Sequence, residues 1–229
     1  MIKVSIEMFY GCLCLCTTIH LNISNLRTVG AASEKHCYAD IEAAYDFLRN
    51  TINVPAKNIV LYGRSLGSGP SCHLAAGRSL QKIEESVAGV ILHAPFLSVY
   101  RIVVDTGCTV YGDKFPNVDV VPMITSPVLL IHGTADQIVP FYHSEQLLKA
   151  LPKNSRVDPM YIEGMSHNNV HAAVRHLFIT RLCDFLDEHI IPYSEEYSAT
   201  KSVKVQLKGK GTNSQIDSEV SSVSIQVEQ

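Results

Sequence analysis

The sequence predicts an α/β fold, a mostly parallel sheet flanked by helices, and three observations carry that expectation. Short apolar runs at 59–62, 87–93 and 127–132 lack in/out alternation, as strands buried on both faces do, and a fourth strand is expected around 157–162. Segments with helical spacing separate them. One of the runs feeds directly into Gly63-x-Ser65-x-Gly67, a strand-to-helix turn. At 229 residues and 46% apolar content, the chain fits one globular domain with a sizeable core.

Residues 1–32 show no clear periodicity and form a divergent segment ahead of the domain. From Ser33 the pattern sharpens: Tyr38, Ile41, Ala44, Tyr45 and Leu48 recur at helical spacing, and Ser33 with Glu34 supplies a helix start. Pro55 lies in the exit loop. The strand at 59–62 then enters the turn, and 71–76 continue it as a helix. After the strand at 87–93, residues 98–125 read as irregular, broken by Gly107, Gly112 and Pro116. The strand at 127–132 ends in Gly133-Thr134-Ala135-Asp136, and a helix follows over 142–151. The strand at 157–162 leads to the loop of 163–167. A long helix over 170–189 carries Val174, Leu177, Phe178, Leu182, Phe185 and Leu186 at apolar spacing. The domain therefore spans 33–192. Residues 193–229, rich in Ser, Lys, Gln and Glu, read as a disordered tail.

A formal charge of −3 gives no electrostatic basis for nucleic-acid binding. The seven cysteines are odd in number and form no metal-ligand pairs, so no metal or other cofactor is expected. Cys37, Cys72, Cys108 and Cys183 are expected to be buried free thiols, which fits a reducing, cytosol-facing compartment. Cys12, Cys14 and Cys16 cluster, and three readings compete: apolar filler or a strand, reversible S-palmitoylation with peripheral membrane contact, and the core of a signal peptide. Glu7 and the lone Lys3 make a poor start for a signal peptide. Residues 8–23 are too short and too polar to span a bilayer.

The chemistry rests on residues at the carboxyl ends of successive strands, where the loops of an open parallel sheet converge. A serine hydroxyl is a weak nucleophile unless a tight turn exposes it beside a base. Gly63 and Gly67 remove Cβ atoms that would collide where the chain reverses around Ser65. Asp136 and His167 follow later strands, and the order serine, acid, histidine is that of α/β-hydrolases. His167 would take the Ser65 proton and return it to the leaving group, while Asp136 would fix the imidazole tautomer. Asp105, Asp113 and Asp158 compete for the acid. His93 and His132 end strands but are expected to point into packed interior turns; His171, His176 and His189 lie on the last helix. The Leu66 backbone N–H is an oxyanion donor. A second donor normally comes from an earlier His-Gly loop. His132-Gly133 follows Ser65 and cannot serve by chain order. Losing one such donor costs about 10²–10³ in rate in a protease.

Residues 33–44, 58–67, 90–96, 115–117, 124–136 and 162–168, in this order and spacing, resemble the α/β-hydrolase domain-containing protein 17 family. The resemblance covers about residues 33–190, and related hydrolases share much of it. It implies an α/β-hydrolase fold and a cofactor-free serine hydrolase that removes palmitate from S-acylated, membrane-associated proteins. Ser65, Asp136 and His167 match that family's triad positions. It also implies the cytoplasmic face of membranes, or the cytosol, as location. The cysteine cluster is similar to the family's in composition only. The segment ahead of Ser33 does not match, so the first strands of the fold are expected to be missing, with a sheet edge left exposed. Another carboxylesterase or peptidase of the same fold, and an inactive truncated hydrolase without a complete oxyanion hole, are the alternatives.

Overall fold

Six strands form one sheet in the computed structural model, which describes residues 3–10, 15–22, 33–81, 85–104, 107–168 and 172–190. In chain order these are β1 Lys3–Tyr10, β2 Leu15–Asn22, β3 Ile59–Arg64, β4 Gly89–His93, β5 Val128–Gly133 and β6 Met160–Ile162. Their order across the sheet is β2-β1-β3-β4-β5-β6. Strands β3 to β6 pair in parallel, which requires crossovers, and the intervening helices supply them. The helices are α1 Glu34–Asp46, α2 Ser68–Gln81, α3 Val99–Val103, α4 Asn117–Val120, α5 Tyr142–Ala150 and α6 Ala172–His189.

The two-residue repeat of a strand splits the parallel sheet's side chains between two cores. Ile59, Leu61, Val90, Leu92, Val128 and Leu130 pack on one face against Ile41, Tyr45 and Leu48 from the first helical region, Leu74 of α2 and Leu147 of α5. Val60, Ile91, Leu129 and Ile131 face the other way, against Phe178, Leu182, Phe185 and Leu186 of α6. Both faces are covered, and this is why the sequence runs are continuously apolar. Each such buried aliphatic side chain contributes about 1.5–3 kcal/mol. Leu177, expected on the apolar stripe of the last helix, is 60% exposed.

The amino-terminal expectation requires correction. The edge of β3 is not open, because β1 pairs with it antiparallel, with Lys3 opposite Arg64 and Met8 opposite Ile59. β2 in turn pairs antiparallel with β1. The backbone N–H and C=O groups of β3 are thus satisfied on both sides. The readable signal was the alternation of Val4, Ile6 and Met8 with Ser5 and Glu7.

Other boundaries shift by one to three residues, the largest at β6, which begins at Met160. Ser33 caps α1 as expected, its Oγ accepting from the His36 N–H at 3.3 Å. The stretch expected to be irregular, 98–125, contains α3, α4 and a 3-10 turn, with Ser98 capping α3. Cys37 and Cys72 are buried, but Cys108 and Cys183 are exposed. Cys16 lies on β2, its backbone opposite Phe9. Cys12, Cys14 and the segment from 193 onward fall outside the described residues. Among those described, no helix is long and apolar enough to cross a membrane.

Candidate active site

Strand β3 ends extended at Arg64, residues Ser65–Gly67 make one 3-10 turn, and α2 begins at Ser68. Ser65 has φ of 50°, a left-handed conformation that a residue with a Cβ adopts only when its surroundings enforce it. Enforcement comes from the close approach of strand and helix. A Cβ on Gly63 would sit 2.6 Å from both the Gly67 carbonyl oxygen and Ser71 Oγ. The glycine requirement is therefore visible at Gly63, with Gly67 supplying the atom it would strike. The Leu66 N–H follows Ser65 at the start of this turn. The 14-residue α2 adds the positive end of its dipole immediately behind it.

Asp136 sits in the turn after β5, its side chain 1% exposed. Its Oδ1 accepts from the Ile138 and Val139 N–H groups, both at 2.9 Å. Its Oδ2 accepts from His167 Nδ1 at 2.6 Å and faces His132 Nε2 at 3.3 Å. Burial alone would raise the carboxyl's pKa. The bonds from Val139, His167 and Ile138 outweigh it and hold the pKa below the ordinary value.

His167 is brought to this carboxylate by two interlocked loops. Thr134 N–H donates to the Ile162 carbonyl and Ala135 N–H to the Met165 carbonyl, while Gly164 N–H donates to Thr134 Oγ1. Gly164 takes a φ of 69°. A Cβ on Gly133 would strike the Met165 carbonyl oxygen, so glycine there is what lets the loops close. With Nδ1 donating to Asp136, Nε2 is left to accept from Ser65, whose Oγ lies 3.0 Å away. Ser65, His167 and Asp136 thus form one hydrogen-bonded line. Among the competing acids, Asp113 caps the Tyr100 and Lys114 N–H groups, and the Asp158 carbonyl accepts from Arg181. Asp105 and His171 fall outside the described residues.

Two residues that touch this line were not identified from sequence. His132, expected in a packed interior turn, is fully buried but lies against Asp136. Ser144 Oγ bonds its Nδ1 at 2.6 Å, and its Nε2 donates to the Val139 carbonyl at 2.9 Å. Burial lowers its pKa despite the nearby carboxylate, so the ring is neutral. Arg64 donates from one terminal nitrogen to the His167 carbonyl at 2.6 Å and to Asn168 Oδ1 at 3.1 Å.

His93 points inward as expected, with Nδ1 2.7 Å from the Tyr62 hydroxyl. Burial first, then the positive Arg64, pull its pKa down from 6.5 to about 3. Between those values the unfolded chain takes up a proton here that the folded chain refuses, so stability falls as pH falls through that window. Going from about pH 7 to about pH 4.5, this site should cost roughly 2–3 kcal/mol. Urea unfolding of wild type and His93→Gln at both pH values is expected to show that much less acid loss in the variant.

The apolar surroundings of the turn are asymmetric. Leu66 packs with Val99 and Ile102 against Phe96, Phe115 and Val139. β2 ends at Asn22, opposite Lys3 and so level with Arg64. Residues 23–32 lie outside the described residues.

The solved structure of a sugar hydrolase from Lactococcus lactis superposes with a TM-score of 0.57 at 18% identity, covering 74% of each chain. That likeness concerns the fold, an α/β-hydrolase fold. The human alpha/beta hydrolase domain-containing protein 17C is 39% identical over 166 residues, covering 72% of this chain and 47% of its own length. For the human protein 17B the values are 39% over 163 residues, 71% and 53%. The chain spans about half the length of the curated relatives it matches. The model of the prolyl oligopeptidase family matches residues 26–192. That match takes in Ser65, Asp136 and His167 together, and the chain belongs to the prolyl oligopeptidase family.

Proposed function

We propose that this chain is a serine hydrolase that cleaves palmitoyl thioesters on S-acylated, membrane-associated proteins. The observation that carries the reading is the line from Ser65 Oγ through His167 to Asp136, at 3.0 and 2.6 Å. His167 Nε2 takes the serine proton as Oγ attacks the thioester carbonyl. Negative charge then develops on the carbonyl oxygen, facing the Leu66 N–H and the amino end of α2. Collapse of the intermediate expels the substrate cysteine as a thiol, protonated by His167. Water, deprotonated by the same nitrogen, attacks the acyl-serine, which releases palmitate and restores Ser65.

The choice of a long acyl group is supported by the resemblance to the protein 17 family and by the apolar cluster beside Leu66. The reading places the protein at the cytoplasmic face of membranes or in the cytosol. S-palmitoylation of Cys12, Cys14 and Cys16 would add a peripheral membrane anchor. A second reading, cleavage of peptides, is favoured by the family match.

The test is release of palmitate from a peptide carrying S-palmitoyl cysteine, beside a proline-containing peptide. The account expects palmitate release that disappears in Ser65→Ala. Peptide cleavage without palmitate release, or neither from folded protein, contradicts it.

A further inference from the structure

We propose that Arg64 is a positioning residue, one that sets the separation of Ser65 and His167 by gripping the histidine loop from the serine side. The inference rests on the hydrolase reading above. The loops bearing Asp136 and His167 are locked to each other by backbone hydrogen bonds. The turn bearing Ser65 belongs to a different strand, so its distance from that locked pair needs a fastening of its own.

Arg64 is placed to provide one. It is the last residue of β3, and its backbone is registered with Lys3 on one side and His93 on the other. From that fixed base the guanidinium reaches residues 103 and 104 positions away in the chain, the His167 carbonyl at 2.6 Å and Asn168 Oδ1 at 3.1 Å. Charge-assisted bonds of this kind are short and strong. They hold the chain just after the His167 ring, whereas the interlocked loops hold it just before. Gripped on both sides, the imidazole has little freedom to swing away from Ser65. The side chain is only half-buried, so its replacement need not unfold the domain.

Arg64→Met keeps an unbranched stem but removes the guanidinium and its donors. A misplacement of about 1 Å in an active site can cost about 10²-fold in rate. Turnover of a p-nitrophenyl ester is therefore expected to lose about 10–100-fold in kcat with KM changed by less than about threefold. Arg64→Lys, a single charge without the planar fork, is expected to recover part of the loss. A kcat within about twofold of wild type, or a loss wholly in KM, overturns the proposal. If Arg64→Met fails to fold, Arg64→Lys carries the same comparison.

Hydrogen–deuterium exchange over 163–168 separates this proposal from the one it rests on. Wild-type protein without Ser65-dependent turnover defeats the hydrolase reading. Exchange in that segment then still decides the grip: faster exchange in Arg64→Met supports it, and equal exchange overturns it.

Discussion

Ser65→Ala and His167→Ala are each expected to lower kcat by about 10⁶, and the double variant by no more than either alone. The reason is the geometry of the line they form. The serine hydroxyl gains nucleophilicity only as its proton passes to His167 Nε2, 3.0 Å away. Removing either member abolishes the same proton transfer, so the losses do not add. On the proposed mechanism, what remains is catalysis by the Leu66 N–H and the amino end of α2, which would act on the carbonyl oxygen whatever attacks it. Steady-state ester hydrolysis by the three variants checks this. Additive losses would mean that Ser65 and His167 act in separate steps.

Asp136→Asn should cost about 10⁴ in kcat while leaving KM nearly unchanged. In the native site one carboxylate oxygen accepts from the Ile138 and Val139 N–H groups and the other accepts from His167. An amide has a single acceptor oxygen. If that oxygen stays with the two backbone donors, its NH₂ faces His167 Nδ1, which must then be unprotonated. The proton moves to Nε2, and the ring can no longer accept from Ser65. The same NH₂ confronts His132, itself already a donor to the Val139 carbonyl. Rotating the amide merely transfers the conflict to the Ile138 and Val139 N–H groups. The variant should therefore also lose stability, by about 1–3 kcal/mol for a buried unpaired donor. Kinetics together with urea unfolding measure both effects.

The parts legible in the sequence share a physical cause. Strands β3, β4 and β5 are buried on both faces, and nothing but a continuous apolar run satisfies that environment. Ser65, Asp136 and His167 stand out because each follows a strand at the sheet edge where loops converge, and the glycines at 63 and 133 mark the tight approaches. Arg64 and His132 were not legible as partners of the site. Arg64 meets its acceptors across 103 and 104 positions, and no periodicity records such a contact. His132 reads as the end of a buried strand, which it is. Its contact with Asp136 follows from how the turn curls back over it. The hairpin of β1 and β2 was missed for another reason. Its alternation is short, and the cysteine-rich connection between the strands carries only Gly11 as a turn signal.

An activated nucleophile at Ser65 is open to covalent capture. Folded wild-type protein is treated with a fluorophosphonate, and the adduct is located by peptide mass spectrometry. The account predicts one phosphonyl group, carried by Ser65, whose formation is lost on prior denaturation and in His167→Ala. Folded protein that takes up no label, or carries it on another residue, would contradict the account.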